Sequence, residues 1–169
     1  MNAQHYMPLA AALSLTTFAA AAVAGPAPEP PGTVYTMSNA VEGNKVLVLK
    51  RQNNGALQLS ASFNTRGMGT ASSLGNQGAL VIDTANRCLY AANAGSDDIT
   101  AFRVTAEGLS FVQKIGSGSM RPISIGVDRN LLYVLNAGGS VGAVDNVSGF
   151  RVRDDCSVAP IAGSARPLS

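Results

Sequence analysis

LYAANAG at residues 89–95 and LYVLNAG at residues 132–138 are two copies of one short pattern, and VYTMSNA at residues 34–40 is a looser third copy. Each copy is followed by a turn, an alternating apolar run, a second turn and a further run. Recurrence at this spacing means that the chain consists of copies of one small unit. Such a unit cannot bury its own apolar face, so it must stack against its neighbours.

The second unit shows the pattern most clearly, because short turns rich in Asn, Asp and Gly separate its four apolar runs. Tight turns of this kind join antiparallel neighbours. The third unit repeats the set of four, whereas prolines replace the opening strand of the first unit. The predicted strands are 34–37, 45–51 and 57–63 in unit one, 79–83, 88–93, 99–104 and 109–115 in unit two, and 123–127, 131–135, 147–152 and 158–161 in unit three.

Four-stranded units of roughly 40 to 50 residues are typical of β-propeller blades. We therefore predict an all-β fold, a partial β-propeller of about three four-stranded antiparallel blades, of which the first lacks its inner strand. The blades are expected at about 33–66, 77–118 and 121–165, within an incomplete propeller domain at 33–169. A β-sandwich of similar strand number is the alternative, but sandwich strands need not recur in sets of four.

An alanine-rich apolar run at residues 9–23 precedes the first unit and is too short to span a bilayer. Ala22 and Ala24 are small residues at the two positions that signal peptidase reads. We expect residues 1–24 to be a cleaved signal peptide and residues 25–32 (GPAPEPPG) to be a proline-rich leader. The mature protein would then be secreted, or periplasmic in a bacterium. An uncleaved tail or anchor is the alternative, since the residues before the run include neither Lys nor Arg.

The composition of the chain limits its partners. Twelve basic residues face ten acidic ones, and charged residues make up only 13% of the chain. This near balance provides no basic surface for nucleic acid and no polybasic strip for a membrane after signal cleavage. The 18 glycines and few aromatic residues are typical of a β-rich protein with many tight turns.

Histidine and cysteine chemistry is also restricted. His5 is the only histidine, and it would be removed with the signal peptide. A mature chain without imidazole excludes Ser-His-Asp catalysis and histidine-ligated zinc, copper or iron. We expect no metal and no cofactor. Cys88 and Cys156 could pair in a secreted protein, but they occupy different positions in their repeats. That difference favours two separate thiols, with a disulfide left open.

The strings NQGALVID (76–83), YAANAGSDDITAFRV (90–104), LYVLNAG and NVSGFRV (146–152) resemble the lactonase family of seven-bladed β-propellers. That family includes 6-phosphogluconolactonases and carboxymuconate-cyclising enzymes. The resemblance covers residues 33–169 and corresponds to the first three of seven blades.

The resemblance implies a secreted lactonase-like protein that hydrolyses or forms the lactone ring of a sugar acid or a muconate. Its partner would be a small lactone or carboxylate. Because a site at the centre of the ring draws residues from many blades, we expect the N-terminal portion alone to be inactive. A non-catalytic binding or interaction protein is the alternative. Open blade edges also suggest self-association.

Lactone chemistry needs one group that stabilises an oxyanion and another that transfers a proton. Arg66, Gln77 and Arg121 are the catalytic candidates, because they lie near the predicted inner strands. An arginine there could bind a carboxylate or phosphate with two hydrogen bonds, and a solvated or blade-bridging role is the alternative. For Gln77 the alternative is a turn cap. The glycine- and serine-rich stretch 65–77 is either a flexible connection or a loop that lines a pocket.

Residues that recur in every unit are expected to be structural, because a catalytic residue is needed only once. We predict that the asparagines terminate strands through backbone hydrogen bonds and that the tyrosines pack between blades. Asn146 begins an Asn-Val-Ser glycosylation sequon, which matters only in a eukaryote. The recurring residues are Asn39, Asn93 and Asn136, and Tyr35, Tyr90 and Tyr133.

Overall fold

Three antiparallel sheets follow one another along the chain in the computed structural model, which describes residues 32–75 and 77–168. The predicted all-β partial propeller is confirmed. The expected signal peptide and nearly all of the proline-rich leader lie outside the described residues. The part of the chain that the structure describes contains no helix with the length and hydropathy that a transmembrane segment needs.

Blade 1 has three strands in the order β1-β2-β3, and blade 2 has four in the order β4-β5-β6-β7. Among the described residues, blade 1 therefore has no inner strand, as the sequence predicted. A bulge interrupts the β2–β3 pairing between Val48 and Leu49. The bounds are β1 Thr33–Met37, β2 Lys45–Arg51, β3 Leu57–Asn64, β4 Leu80–Asp83, β5 Cys88–Asn93, β6 Asp98–Thr105 and β7 Gly108–Gly116.

Blade 3 has the order β8-β9-β10-β11, and a further short strand, β12, pairs with the free part of β10. The sequence analysis missed β12, because a two-residue strand containing Pro167 has no apolar period. It also missed the 3₁₀ turn Gly138–Val141. The bounds are β8 Pro122–Asp128, β9 Leu131–Asn136, β10 Asn146–Val152, β11 Val158–Pro160 and β12 Arg166–Pro167.

The core lies between the sheets rather than within any one of them. All six residues of β5 are buried. Alternate β5 side chains point to opposite sides, so Leu89 packs toward blade 1 while Tyr90 packs toward blade 3. The cluster between blades 2 and 3 includes Leu132, Val134 and Phe150 from blade 3. Blade 2 is thus covered on both faces by neighbouring sheets.

The prediction of two separate thiols is wrong, because Cys88 and Cys156 form a disulfide with a Cα–Cα distance of 5.5 Å. Cys88 begins β5 on the side that faces blade 3. Cys156 lies in the turn between β10 and β11 and has a positive φ of 71°. The same turn contacts blade 2 through the Asp154 carbonyl, which accepts from the Arg103 guanidinium. The two positions differ within the repeat because the bond joins adjacent blades.

Removing the disulfide tests how firmly blade 3 is attached. The double variant Cys88→Ala/Cys156→Ala should lower the free energy of unfolding by about 2–5 kcal/mol, because the unfolded chain is no longer closed into a loop. The two cysteines are 68 residues apart. Equilibrium urea unfolding measures the difference, and Cys156→Ala alone should lose a similar amount. Unchanged stability in both variants would contradict the structural role.

Candidate functional site

A cavity of about 370 Å³ lies beside β1, the first strand of blade 1 that the structure describes. One wall is formed by β1 and another by the start of β4. The third wall is the segment Ser72–Leu74, so part of the glycine- and serine-rich stretch lines a pocket. The lining residues are Tyr35, Thr36, Met37, Asn39, Ser72, Ser73, Leu74, Gly78, Ala79 and Leu80.

The pocket opens at one end of the sheets, which we call the pocket end. There β1, β5 and β9 finish, and β4 and β8 begin. The stretch after β3 is held at this end by backbone hydrogen bonds. The amide of Gly69 donates to the Ala40 carbonyl at 2.8 Å, and the Gly95 amide donates to the Met68 carbonyl at 2.9 Å. Residues 65–71 are therefore fixed to both blades, which contradicts a flexible connection there.

Asn39 shapes the pocket wall. Its backbone φ is 52°, in the left-handed region that asparagine tolerates. Its side-chain Nδ2 donates to the Ser72 carbonyl at 2.8 Å, and its Oδ1 accepts from the Thr70 amide at 2.9 Å. Gly69 approaches so closely that an added Cβ would lie 2.2 Å from the Asn39 carbonyl carbon. Asn39 thus holds the loop in the position that encloses the pocket.

Asn39 does not share the position of the other two recurring asparagines. Asn93 and Asn136 are the last residues of β5 and β9, whereas Asn39 lies two residues beyond the end of β1. The pairing register places Ser38 where the later strands have asparagine. The extra residue in the first copy of the pattern accounts for the shift.

Asn93 and Asn136 each connect their blade to the preceding one. Asn93 donates from Nδ2 to Asp98 Oδ1 at 2.7 Å and accepts at Oδ1 from Asn44 of blade 1 at 3.0 Å. Lys114 neutralises Asp98 at 3.0 Å. Asn136 donates to the Ser117 carbonyl at 3.3 Å, next to the last strand of blade 2. The Asn44–Asn93 and Asn136–Ser117 contacts are the interblade hydrogen bonds, and these four residues are fully buried.

The three catalytic candidates all lie at the pocket end, but no described contact joins any two of them. The guanidinium of Arg66 lies 3.5 Å from the centre of the Phe111 ring on the outer strand β7, a cation–π contact. Gln77 is exposed beside the pocket, and its carbonyl accepts from Ser124 of β8. Arg121 is half-buried before β8, and its amide donates to Asp97 Oδ1 at 2.7 Å.

The recurring tyrosines have three different environments. Tyr90 is fully buried between blades 2 and 3, and Tyr35 is half-buried against the core between blades 1 and 2. Tyr133 is 45% exposed, which differs from the expected packing between blades. Its side of blade 3 faces away from blade 2, and none of the described sheets lies there.

Asn146, the sequon asparagine, is the first residue of β10 and is half-buried. Its Oδ1 accepts from Asn136 Nδ2 at 3.1 Å and from Ser148 Oγ at 3.1 Å. Ser148, the third residue of the sequon, is buried. The side chain that would carry a glycan therefore belongs to the hydrogen-bonded group at the end of blade 3.

A family model for lactonases with a seven-bladed β-propeller matches residues 34–155. The chain therefore belongs to this lactonase family. No curated protein sequence matches it significantly.

Three solved structures share the fold. The Pseudomonas aeruginosa periplasmic gluconolactonase PpgL is 20% identical with a TM-score of 0.55, over 87% of this chain and 44% of its own. A protein from Lactobacillus plantarum is 18% identical with a TM-score of 0.56, and the match covers 74% of this chain and 39% of that protein. A candidate 6-phosphogluconolactonase from Bacteroides fragilis is 14% identical with a TM-score of 0.51, and the match covers 83% of this chain and 43% of that protein. This chain thus spans less than half the length of each.

A substitution at Gly67 would test how closely the segment after β3 packs against the buried polar residues Asn93 and Asp98. An added Cβ would lie 2.4 Å from Asn93 Cγ and 2.6 Å from Asp98 Oδ1. Gly67→Ala should therefore lower the free energy of unfolding by about 1–3 kcal/mol through overpacking. Gly126→Ala in β8 is the matched control, since its added methyl meets no atom within 4 Å. Chemical denaturation compares the two, and equal losses would argue against the tight contact.

Tyr90 should make the free energy of unfolding fall as the pH rises through the alkaline range. Burial, with a further contribution from the Asp83 carboxylate, raises the pKa of its hydroxyl from 10.0 to about 12. The unfolded chain therefore releases this proton first, so the stabilisation is complete below pH 10 and is lost as the pH rises toward 12. The loss amounts to at most about 3 kcal/mol.

Tyr90→Phe is the matched control, because it keeps the ring and removes the ionisable group. The hydroxyl has no hydrogen-bond partner among the described residues, so the variant should be at least as stable as the wild type at neutral pH. Urea unfolding from pH 8 to pH 12 should show the wild type losing stability relative to the variant. If the unfolding free energies of the wild type and the variant changed with pH in parallel, the raised pKa of Tyr90 would be disproved.

Proposed function

We propose that this chain forms the first part of a secreted lactonase, and that the pocket beside β1 binds a sugar lactone or the corresponding acid. The pocket itself is the observation that carries the proposal. It opens at the pocket end of the blades, in a chain that belongs to the lactonase family. The apolar run and small residues before residue 25 support export. A muconate lactone is the other substrate class that the family resemblance suggests.

The chemistry proposed is addition of water to the lactone carbonyl, followed by cleavage of the ring carbon–oxygen bond. The carbonyl oxygen needs hydrogen-bond donors as its charge develops, and a proton must leave the water and reach the ring oxygen. The pocket lining offers hydroxyl and amide groups from Thr36, Asn39, Ser72 and Ser73. These groups can bind a sugar but are poor proton acceptors.

Arg121 and Gln77 are our proposed additional donors, since both lie at the pocket end near the inner strands. An arginine there could stabilise an oxyanion or bind the carboxylate of the product. Arg66 is a weaker candidate because its guanidinium rests on Phe111. We assign proton transfer to groups outside the three described blades, since the chain covers less than half of its structural neighbours. The three blades alone should be inactive.

The charge of the pocket bears on the substrate class. The ten lining residues, which do not include Arg121, are all uncharged, whereas a phosphorylated sugar acid normally needs Arg or Lys in direct contact with its phosphate. An unphosphorylated lactone such as gluconolactone, the substrate class in the name of the Pseudomonas aeruginosa neighbour, therefore suits this pocket better than a 6-phosphogluconolactone. Uncharged polar lining also suits a non-catalytic sugar-binding protein, which is the second candidate.

Binding and turnover can be tested separately. Gluconate should shift the amide resonances of Asn39, Ser72 and Ser73, while 6-phosphogluconate should shift them less at equal concentration. Leu74→Trp should abolish the shifts by filling the pocket, and Leu57→Trp, at a position exposed on the far side of blade 1, should keep them. Shifts that are absent, or that persist in Leu74→Trp, would refute the site.

The lactonase assay with this chain should show gluconolactone opening only at the uncatalysed rate. Clear hydrolysis by the purified chain would contradict the proposed need for further blades. In that case Arg121→Gln and Gln77→Ala would show whether the predicted donors take part.

A further inference from the structure

A pocket of about 310 Å³ lies between blades 2 and 3, at the end of the sheets opposite to the pocket end. At this far end, β4, β8 and β10 finish, and β5, β9 and β11 begin. The turns that join these strands in pairs border the far-end pocket, so both blades contribute to it. Its charged residues distinguish it from the pocket beside β1. The far-end pocket is lined by Asn86, Arg129, Asn130, Val152, Arg153 and Asp154.

The walls of the far-end pocket are tied to each other across the junction between the blades. The disulfide joins Cys88, which directly follows the β4–β5 turn, to Cys156 in the β10–β11 turn. The Arg103 guanidinium donates to the Asn86 carbonyl at 3.5 Å and also to the Asp154 carbonyl. These links hold the turns in place before a ligand arrives. A pocket with fixed walls loses little conformational entropy on binding.

Two arginines in the lining have only weak contacts with the rest of the protein. Arg129 Nε lies 3.7 Å from the Asp128 carboxylate, but the two side chains are 88% and 81% exposed. An ion pair this exposed contributes little stability. Arg153 donates to Ser157 Oγ at 3.4 Å, which is long for a hydrogen bond. Both guanidinium groups can therefore turn toward a ligand without breaking a strong contact.

We propose that the far-end pocket binds a dianionic phosphate group, either as the free ion or on a small phosphorylated molecule. A guanidinium group forms paired hydrogen bonds with phosphate oxygens, and two of them match the double charge of this group. Two arginines and one aspartate give the lining a net charge of +1. A carboxylate carries a single charge and suits two arginines less well. The proposal is independent of the lactone pocket, which lies at the other end of the sheets.

An NMR titration of the intact chain at constant pH and low ionic strength tests the proposal, because salt screens exposed charges. Inorganic phosphate and glucose 6-phosphate are the probes, and glucose is the control without a phosphate. The amide resonances of Asn130, Arg153 and Asp154 should shift with at least one phosphate probe and not with glucose. The probe that binds more tightly identifies the source of the phosphate group. If neither probe shifts these resonances, or if glucose shifts them equally, the proposal is wrong.

Four variants separate a specific site from general attraction to a positive surface. Arg129→Gln and Arg153→Gln should each weaken phosphate binding about tenfold, because each removes charge-assisted hydrogen bonds. Asp154→Asn should strengthen binding, since it removes the negative charge from the lining. Arg151→Gln is the matched control: Arg151 is exposed on the same strand as Val152 but on its opposite face, so binding should not change. Equal weakening by all three arginine substitutions, or no gain from Asp154→Asn, would overturn the proposal.

Discussion

The middle strand of blade 2 imposes the constraint on which the rest of the structure depends. All six residues of β5 are buried, with apolar side chains alternating between its two faces. A sheet that carries apolar residues on both faces requires a covering sheet on each side. Blade 2 is therefore stable only between blades 1 and 3, and the stacked arrangement follows from the repeat itself rather than from any one contact.

The two junctions around blade 2 are secured by different means. Toward blade 1, a buried polar group connects Asn44, Asn93 and Asp98, with Lys114 balancing the carboxylate. Buried polar groups of this kind require complete pairing and therefore fix one geometry. Toward blade 3, apolar packing is supplemented by the Cys88–Cys156 disulfide. The stretch after β3 is held by backbone hydrogen bonds to both blades, between Gly69 and Ala40 of blade 1 and between Met68 and Gly95 of blade 2. The stacking of the blades therefore also positions the pocket.

Strand periodicity predicted the fold well, because alternation and tight turns are local signals. Features that depend on tertiary contacts could not be predicted this way. The disulfide joins different repeat positions because it crosses between facing blades, which sequence spacing does not reveal. Asn39 matched the repeated Asn-Ala pattern in the sequence but does not occupy the strand-end position of Asn93 and Asn136. One extra residue in the first copy places it beyond the end of β1. Arg66 was a reasonable candidate by position, yet only the structure shows its contact with Phe111. The pocket likewise depends on which residues border the place of the missing strand.

The evidence for function divides in the same way, into what the sequence pattern shows and what only the tertiary structure shows. Membership of the lactonase family rests on the match over residues 34–155. The pocket, in contrast, is lined only by uncharged residues of blades 1 and 2 and of the segment that joins them. The central claim, that the three blades form one cooperative stack, is tested most directly by native-state hydrogen exchange in increasing urea. The account predicts that the slowest amides of β2, β5 and β9 converge on one opening free energy, because loss of either neighbour exposes blade 2. If β5 stays protected after β2 or β9 has opened, blade 2 is stable alone and the account is contradicted.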